Sequence, residues 1–167
     1  MKSRFWRALT VALSLLALTC QSELDAGAKS AVLDEPFFRC RVHPVLIKTC
    51  AQLACHGNGT RYFRLFGRNR MRLGGTEAQR NSLILPAERC HNFEAASAFV
   101  DASEPDDSLL LRKPLEQSAG GYYHGGASQF GAGDVFSART DPDFKVLAEW
   151  VAGQTDDPSC PEPGANE

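Results

Sequence analysis

The stretch Cys50-Ala51-Gln52-Leu53-Ala54-Cys55-His56-Gly57 places two thiols, an imidazole and a glycine within eight residues. Four residues separate the two cysteines, and His56 directly follows the second one. Thiol and imidazole groups are metal and cofactor ligands, and their clustering in a short segment is a signature of such sites. The stretch therefore predicts a cofactor or metal site, around which the fold is organised.

The spacing is closest to C-x-x-C-H, in which two cysteines form thioethers with haem vinyl groups and the histidine ligates the iron. Here the cysteines are four residues apart instead of two. The favoured hypothesis is that Cys50 and Cys55 attach haem c and that His56 is the proximal iron ligand. The alternative is a Cys50–Cys55 disulfide beside a surface histidine.

A helix is predicted immediately before this stretch, from about His43 to Leu53. Pro44 suits its first turn, where the missing N–H costs no hydrogen bond. Residues at helical spacing form one largely apolar face; they are Val42, Val45, Leu46, Thr49 and Cys50. The helix would thus present Cys50 on its apolar face, with Cys55 and His56 beyond its end.

Residues 1–20 have the pattern of an export signal. A basic start is followed by an apolar run from Ala8 to Leu18, which is the usual arrangement of signal peptides. The residues up to Cys20 are similar to a lipobox, in which the cysteine becomes the lipidated N-terminus. Cleavage after Ala28 and an uncleaved anchor are the alternatives. All three place the domain outside the cytoplasm. Lipidation at Cys20, the favoured alternative, predicts a position on the periplasmic side of a cell envelope with a lipid anchor in the membrane.

The chain of 167 residues allows one domain of ordinary size. We expect residues 21–35 to be a flexible tether, residues 36–160 the domain, and residues 161–167 a disordered tail. The N-terminal 19 residues hold three of the 18 basic side chains and none of the 20 acidic ones. The remainder is therefore acidic overall, which gives no reason to expect nucleic-acid binding.

Three cysteines stand outside the signal and the central stretch. They are Cys40, Cys90 and Cys160. In an oxidising compartment two of the three are expected to pair, and the sequence leaves open which two.

The rest of the domain is predicted to be helices joined by long loops. Alternation around Gly67 predicts a short β-hairpin within an arginine-rich segment, 60–75. Asn92 is predicted to cap one helix and Ser108 a shorter one. A glycine-rich loop spans Ser118 to Gly133. The clearest helix is the last, with Asp141 as cap, Pro142 first, an apolar face with Trp150, and Gly153 after its end. These elements together predict an all-α fold.

Three segments together resemble a cytochrome c-type domain of bacterial envelope lipoproteins. They are Pro44 to Gly57, Ser108-Leu-Leu-Leu-Arg-Lys-Pro114, and Asp141 to Gly153, and the resemblance covers about residues 37–153. His124-Gly125-Gly126 is similar to a glycine-flanked histidine in the middle of this class. The resemblance implies a small cytochrome c-like helical fold whose first and last helices pack beside a covalently bound haem.

The second axial ligand is predicted from the side chains that remain. His124 is the first candidate, because flanking glycines allow the backbone to approach a flat macrocycle closely. Met71, the only methionine besides Met1, is the alternative. His43 and His91 are outside candidates. One of the five arginines between Arg61 and Arg72 is a candidate partner for the haem propionates.

The function predicted from these residues is electron transfer by a tethered c-type haem module, with a redox protein of the envelope as partner. No Ser/His/Asp set, carboxylate pair or phosphate-binding loop indicates hydrolytic chemistry, so an electron carrier is favoured over an enzyme. The alternatives are a zinc site built from Cys50, Cys55, His56 and the Cys90-His91 pair, and a disulfide-stapled lipoprotein that binds a partner without haem.

Overall fold

The computed structural model describes residues 33–125 and 134–155 of the chain. These residues are helical, and no strand occurs within them. The prediction of an all-α fold is confirmed at this level. Cys20, Cys160, the signal segment, most of the tether and the tail lie outside the described residues, as does part of the glycine-rich loop.

The described helices are numbered α1 to α5. The first, α1, is continuous but mixed: α-helical Glu35–Phe37, a π-helical turn Phe38–Val42, and α-helical His43–Thr49. The others are α2 (Glu77–Arg80), α3 (Pro86–Ser97), α4 (Leu109–Arg112) and α5 (Pro142–Val151). Short 3-10 turns cover Pro105–Asp107 and Gln117–Ala119.

Helix α1 begins earlier and ends earlier than the sequence predicts. Asp34 caps it by accepting a hydrogen bond from Phe37 N at 2.7 Å, and the helix ends at Thr49, not near Leu53. Cys50 remains on the buried face. The chain therefore leaves the helix at the first cysteine, and the whole cysteine–histidine stretch is a loop attached to the helix end.

Helices α1 and α5 pack against each other at the centre of the core. Trp150 is fully buried, its ring centre lies 5.2 Å from that of Phe38, and its Nε1 donates to Asp34 O at 2.9 Å. At the surface, Lys48 Nζ pairs with Asp143 Oδ2 at 2.8 Å. The predicted cap of α5 is present, since Asp141 Oδ1 accepts from Asp143 N at 2.8 Å.

The predicted hairpin at residues 60–75 is absent. This segment forms turns and bends instead of paired strands, because Arg72 is buried against Glu88 rather than exposed on a strand face. The Arg72 Nη2 to Glu88 Oε2 distance is 2.8 Å, with side chains 2% and 0% exposed. Arg72 also donates to the carbonyls of Ser82 and Leu83, each at 2.9 Å, so one side chain organises the loop.

Asn92 does not cap a helix but lies buried within α3, which begins six residues earlier at Pro86. Its amide holds the loop to the helix: Oδ1 accepts from Phe66 N at 2.8 Å and Nδ2 donates to Phe66 O at 2.7 Å. Nδ2 is also 3.0 Å from His43 Nε2. The residue joins α1, α3 and the loop, which explains why a polar side chain is buried there.

Ser108 precedes α4 as predicted, but its hydroxyl makes no capping bond to that helix. Oγ instead accepts from Asp101 N at 2.9 Å. After α4, an isolated parallel bridge joins Leu115 to Phe136. In the described part of the chain, no helix is long and apolar enough to cross a membrane.

Candidate functional site

A largely apolar cavity of about 690 Å³ lies at the end of α1, bounded on the other sides by α4 and by the residues around His124. This volume falls within the range of about 300–1,000 Å³ that is typical of small-molecule and cofactor sites. The structure brings Cys50, Cys55, His56 and His124 together along its wall. Apolar side chains supply most of the remaining lining; they include Leu46, Phe63, Phe99, Leu110, Pro114 and Leu147.

The cysteine–histidine stretch is folded into a compact loop by its own backbone. Cys55 N donates to Gln52 O at 2.8 Å, and His56 N donates to Cys50 O at 3.1 Å. Gly57 closes the loop, because a Cβ at this position would lie 2.1 Å from the carbonyl oxygen of Ala51. Only glycine permits that approach, so the residue that ends the motif is also the one that shapes it.

Both cysteines of the stretch are free thiols, so this structure does not contain the alternative Cys50–Cys55 disulfide. The Cys50 side chain is buried, and burial raises the pKa of its thiol to about 11. Thr49 Oγ1 lies 3.3 Å from Cys50 Sγ and partly opposes that rise. Cys50 is consequently a neutral thiol at physiological pH, with Cys55 more accessible at the same cavity wall.

One ring nitrogen of His56, Nδ1, forms a hydrogen bond, which leaves Nε2 for a ligand. Nδ1 lies 2.8 Å from Phe63 O, and because a carbonyl can only accept, Nδ1 carries the hydrogen. Burial lowers the pKa of His56; the hydrogen bond to Phe63 O partly opposes this, and electrostatic interactions with His124 and Arg61 add to the lowering. The ring is therefore neutral at pH 7 with the lone pair on Nε2, which is the form that ligates a metal.

His124 also lines the cavity and is held through the same ring nitrogen. Nδ1 lies 2.9 Å from Asp134 Oδ1, and since a carboxylate oxygen accepts, Nδ1 carries the hydrogen. Two contacts fix the backbone that leads to His124. Gly121 lies so close to the Leu115 carbonyl that a Cβ would overlap it, and Tyr122 N donates to Arg112 O at 2.7 Å.

The two imidazole rings are nearly parallel, with an interplanar angle of 9° and ring centres 6.0 Å apart. The rings are therefore stacked neighbours at one cavity, each with its Nδ1 in a hydrogen bond. The donor set, two imidazoles and two thiols at a largely apolar cavity, fits a covalently held haem.

The other sequence-predicted ligands do not lie at this cavity. Met71 is beside Gly59 and lines a separate, smaller cavity. His43 is in the core against Asn92, where burial lowers its pKa to about 4. His91 packs edge-on against Phe66. Met71 is therefore not among the residues that line the cavity with His56 and His124.

Cys40 and Cys90 are both disulfide-bonded, as two of the three cysteines outside the central stretch were expected to be. Cys90 is therefore not a thiolate that could join Cys50 and Cys55 on a zinc ion. Within residues 33–125 and 134–155, no group of three or more His, Cys, Asp and Glu side chains is arranged to hold a metal ion. The zinc site that combined the two clusters is not formed here.

Two basic side chains reach the cavity. Arg61 lines it and is the member of the arginine-rich segment placed to meet an anionic group there. Lys113 also lines it, with Nζ donating to Tyr123 O at 2.9 Å. Sequence reasoning assigned no role to Lys113 and did not find Asp134, because neither the ten-residue separation from His124 nor a motif marks that contact.

Comparisons with family models, with curated proteins and with solved structures find no match to this chain.

Proposed function

We propose that this chain is a c-type haem module that transfers electrons. Cys50 and Cys55 would form the thioether bonds, and His56 and His124 would ligate the iron. The observation that carries the proposal is one largely apolar cavity lined by both thiols and both imidazoles. Each imidazole has its Nδ1 engaged, which leaves Nε2 for the metal.

The chemistry that the haem supplies when bound is reversible one-electron transfer. The protein residues would fix its position and its surroundings. With both His56 and His124 as ligands, the iron would have no position open to a substrate, which favours an electron carrier over an enzyme. Arg61 is the side chain proposed to pair with a propionate, since a guanidinium binds carboxylates in a matched geometry.

Residue spacing also supports the covalent attachment. The hydrogen bonds within the 50–57 loop bring Cys50 and Cys55 to one wall of the cavity despite the four-residue gap between them. His56 follows Cys55 directly, so a macrocycle held by the thiols would have its iron close to that imidazole. Between the two cysteines, Leu53 is exposed and Gln52 lines the cavity.

The proposed setting is the periplasmic side of a cell envelope, with the chain tethered through lipid at Cys20 and a redox protein as partner. This rests on the pattern of residues 1–20 and on the chemistry of the site, because covalent haem attachment and a disulfide both belong to exported proteins.

The test is to express the full chain in a bacterial host that attaches haem to exported proteins, and to record the intact mass and the absorption spectrum. We expect a Soret band and a mass gain of one covalent haem. Cys55→Ala and Cys50→Ala should each reduce covalent attachment, whereas Leu53→Ala, an exposed neighbour in the same loop, should not. A colourless protein without added haem mass would overturn the proposal and leave a haem-free binding module.

A further inference from the structure

The two histidines that line the cavity have different hydrogen-bond partners. His56 Nδ1 donates to a neutral acceptor, the backbone carbonyl of Phe63, at 2.8 Å. His124 Nδ1 donates to a carboxylate, Asp134 Oδ1, at 2.9 Å. Ligating histidines commonly donate their second ring N–H to such partners, and the partner sets both the tautomer and the basicity of the ligand.

Asp134 is built into the site as a fixed acceptor. Its side chain is only 4% exposed, and Oδ1 also accepts from Val135 N at 2.9 Å. Its own N–H donates to Glu116 Oε2 at 2.9 Å, and the neighbouring Phe136 N donates to Pro114 O at 2.9 Å. These bonds hold the carboxylate beside His124 independently of the histidine itself.

No lysine or arginine forms an ion pair with Asp134 among the residues that the structure describes. Its negative charge is therefore directed mainly at the His124 ring. A hydrogen bond to an ionised acceptor is roughly twice as strong as one between neutral groups. The His124 ring is consequently the more strongly polarised of the two imidazoles.

We propose that Asp134 is a positioning residue with two effects on the His124 ligand, an inference that rests on the proposed haem function. It fixes the Nδ1–H tautomer, so that Nε2 is free to bind the iron. It also increases electron donation by His124, which stabilises the oxidised iron and lowers the reduction potential of the site. His56, with a neutral acceptor, is the weaker donor of the pair.

Two variants separate these effects. Asp134→Asn keeps an oxygen that can accept from His124 but removes the charge, whereas Asp134→Ala removes both. Asp106→Asn removes the same charge from an exposed 3-10 turn and serves as the control for net charge. All are made in the full chain.

The first measurement uses haem-free protein, in which the ring nitrogens of His124 are observed by 15N NMR. We expect one tautomer, protonated at Nδ1, in the unmodified protein and in Asp134→Asn, and a mixture in Asp134→Ala. The second is the reduction potential of the haem-loaded protein, which should be higher in Asp134→Asn than in the unmodified protein and in Asp106→Asn.

An unchanged tautomer in Asp134→Ala would overturn the positioning role, and an unchanged potential in Asp134→Asn would overturn the electronic one. If the proposed function is wrong, the result is different: neither the unmodified protein nor any of the variants will contain haem. That result would also overturn the claim about the potential, while the NMR comparison would still decide whether Asp134 positions His124.

Discussion

At the scale of single residues, Gly57 sets the shape of the cysteine–histidine loop. A Cβ there would lie 2.1 Å from Ala51 O, so Gly57→Ala must displace backbone rather than a flexible side chain. Overpacking of this kind costs about 1–3 kcal/mol. We expect Gly57→Ala to lower the free energy of unfolding by that amount, measured by urea denaturation, and to reduce the haem content of exported protein.

The matched control is Gly59→Ala, two residues away in the same loop. Its Cβ would meet only the Met71 sulfur, at an ordinary contact distance of 3.8 Å, and should leave stability and haem content nearly unchanged. If Gly57→Ala and Gly59→Ala had equal stability and equal haem content, the close approach of Gly57 to Ala51 would not shape the site.

The two free thiols, Cys50 and Cys55, are expected to differ in reactivity. Burial raises the pKa of Cys50 from 9.0 to about 11, which leaves about 100-fold less thiolate than an ordinary thiol at the same pH. The thiolate is the nucleophile. Timed alkylation of haem-free protein at pH 8 with peptide mass spectrometry should therefore modify Cys55 much faster than Cys50, with the difference lost in urea.

Equal alkylation rates of Cys50 and Cys55 in the folded protein would mean that the Cys50 thiol is not buried. That Cys50, Cys55 and His56 line one cavity could be predicted from sequence, since they lie in one short stretch. His124 lines the same cavity, and its glycine neighbours suggested it as a candidate. Asp134 could not be predicted, because its contact depends on how the chain returns after the loop.

At the scale of elements, the packing of α1 against α5 holds the cavity wall in place. Trp150 on α5 contacts Phe38 and Phe93 and bonds the cap residue of α1 through Asp34 O. Replacing a fully buried tryptophan with alanine costs about 3–5 kcal/mol. We expect Trp150→Ala to lose stability of this order in urea denaturation.

The control for that variant is Leu73→Ala, since Leu73 is 60% exposed and surface substitutions usually change stability by less than about 0.5 kcal/mol. A small effect of Trp150→Ala, similar to that of Leu73→Ala, would contradict the packing of α1 against α5.

Helix α5 was predictable from sequence. Its cap residue, its first-turn proline and its apolar face all indicate a helix over the same residues.

The elements that the sequence did not predict depend on long-range polar contacts. The alternating pattern at 60–75 indicates strands, but burial of Arg72 against Glu88 gives the segment its turns. Burial alone would raise the pKa of Glu88, yet the hydrogen bonds from Arg72 and from the Leu73 and Leu85 N–H groups hold it below its usual value. Asparagine is a common helix cap, so the sequence indicated a cap at Asn92. In the structure its side chain instead joins two helices and a loop.

At the scale of the whole molecule, the buried His43 makes stability depend on pH. Burial, with a smaller contribution from Arg89, lowers the pKa of His43 from 6.5 to about 4. Between these values the unfolded chain binds a proton that the native ring does not. Stability from this group is therefore complete above pH 6.5 and falls as the pH drops to about 4, by about 3 kcal/mol in total.

Urea denaturation between pH 7 and pH 4 measures this dependence, with His43→Gln as the comparison. The variant removes the titrating group, so its stability at pH 7 should be lower but its decline towards pH 4 shallower. Parallel pH profiles for the two proteins would show that His43 does not contribute to the acid sensitivity.

His56 and His124, which the fold brings to one cavity, are proposed to ligate a single iron. Absorption spectroscopy of haem-loaded His124→Ala, compared with unmodified protein and with His91→Ala, tests this proposal directly. The unmodified protein and His91→Ala should be six-coordinate and low-spin and should not respond to added imidazole, whereas His124→Ala should become high-spin and bind imidazole. A His124→Ala spectrum identical to that of the unmodified protein would contradict the account.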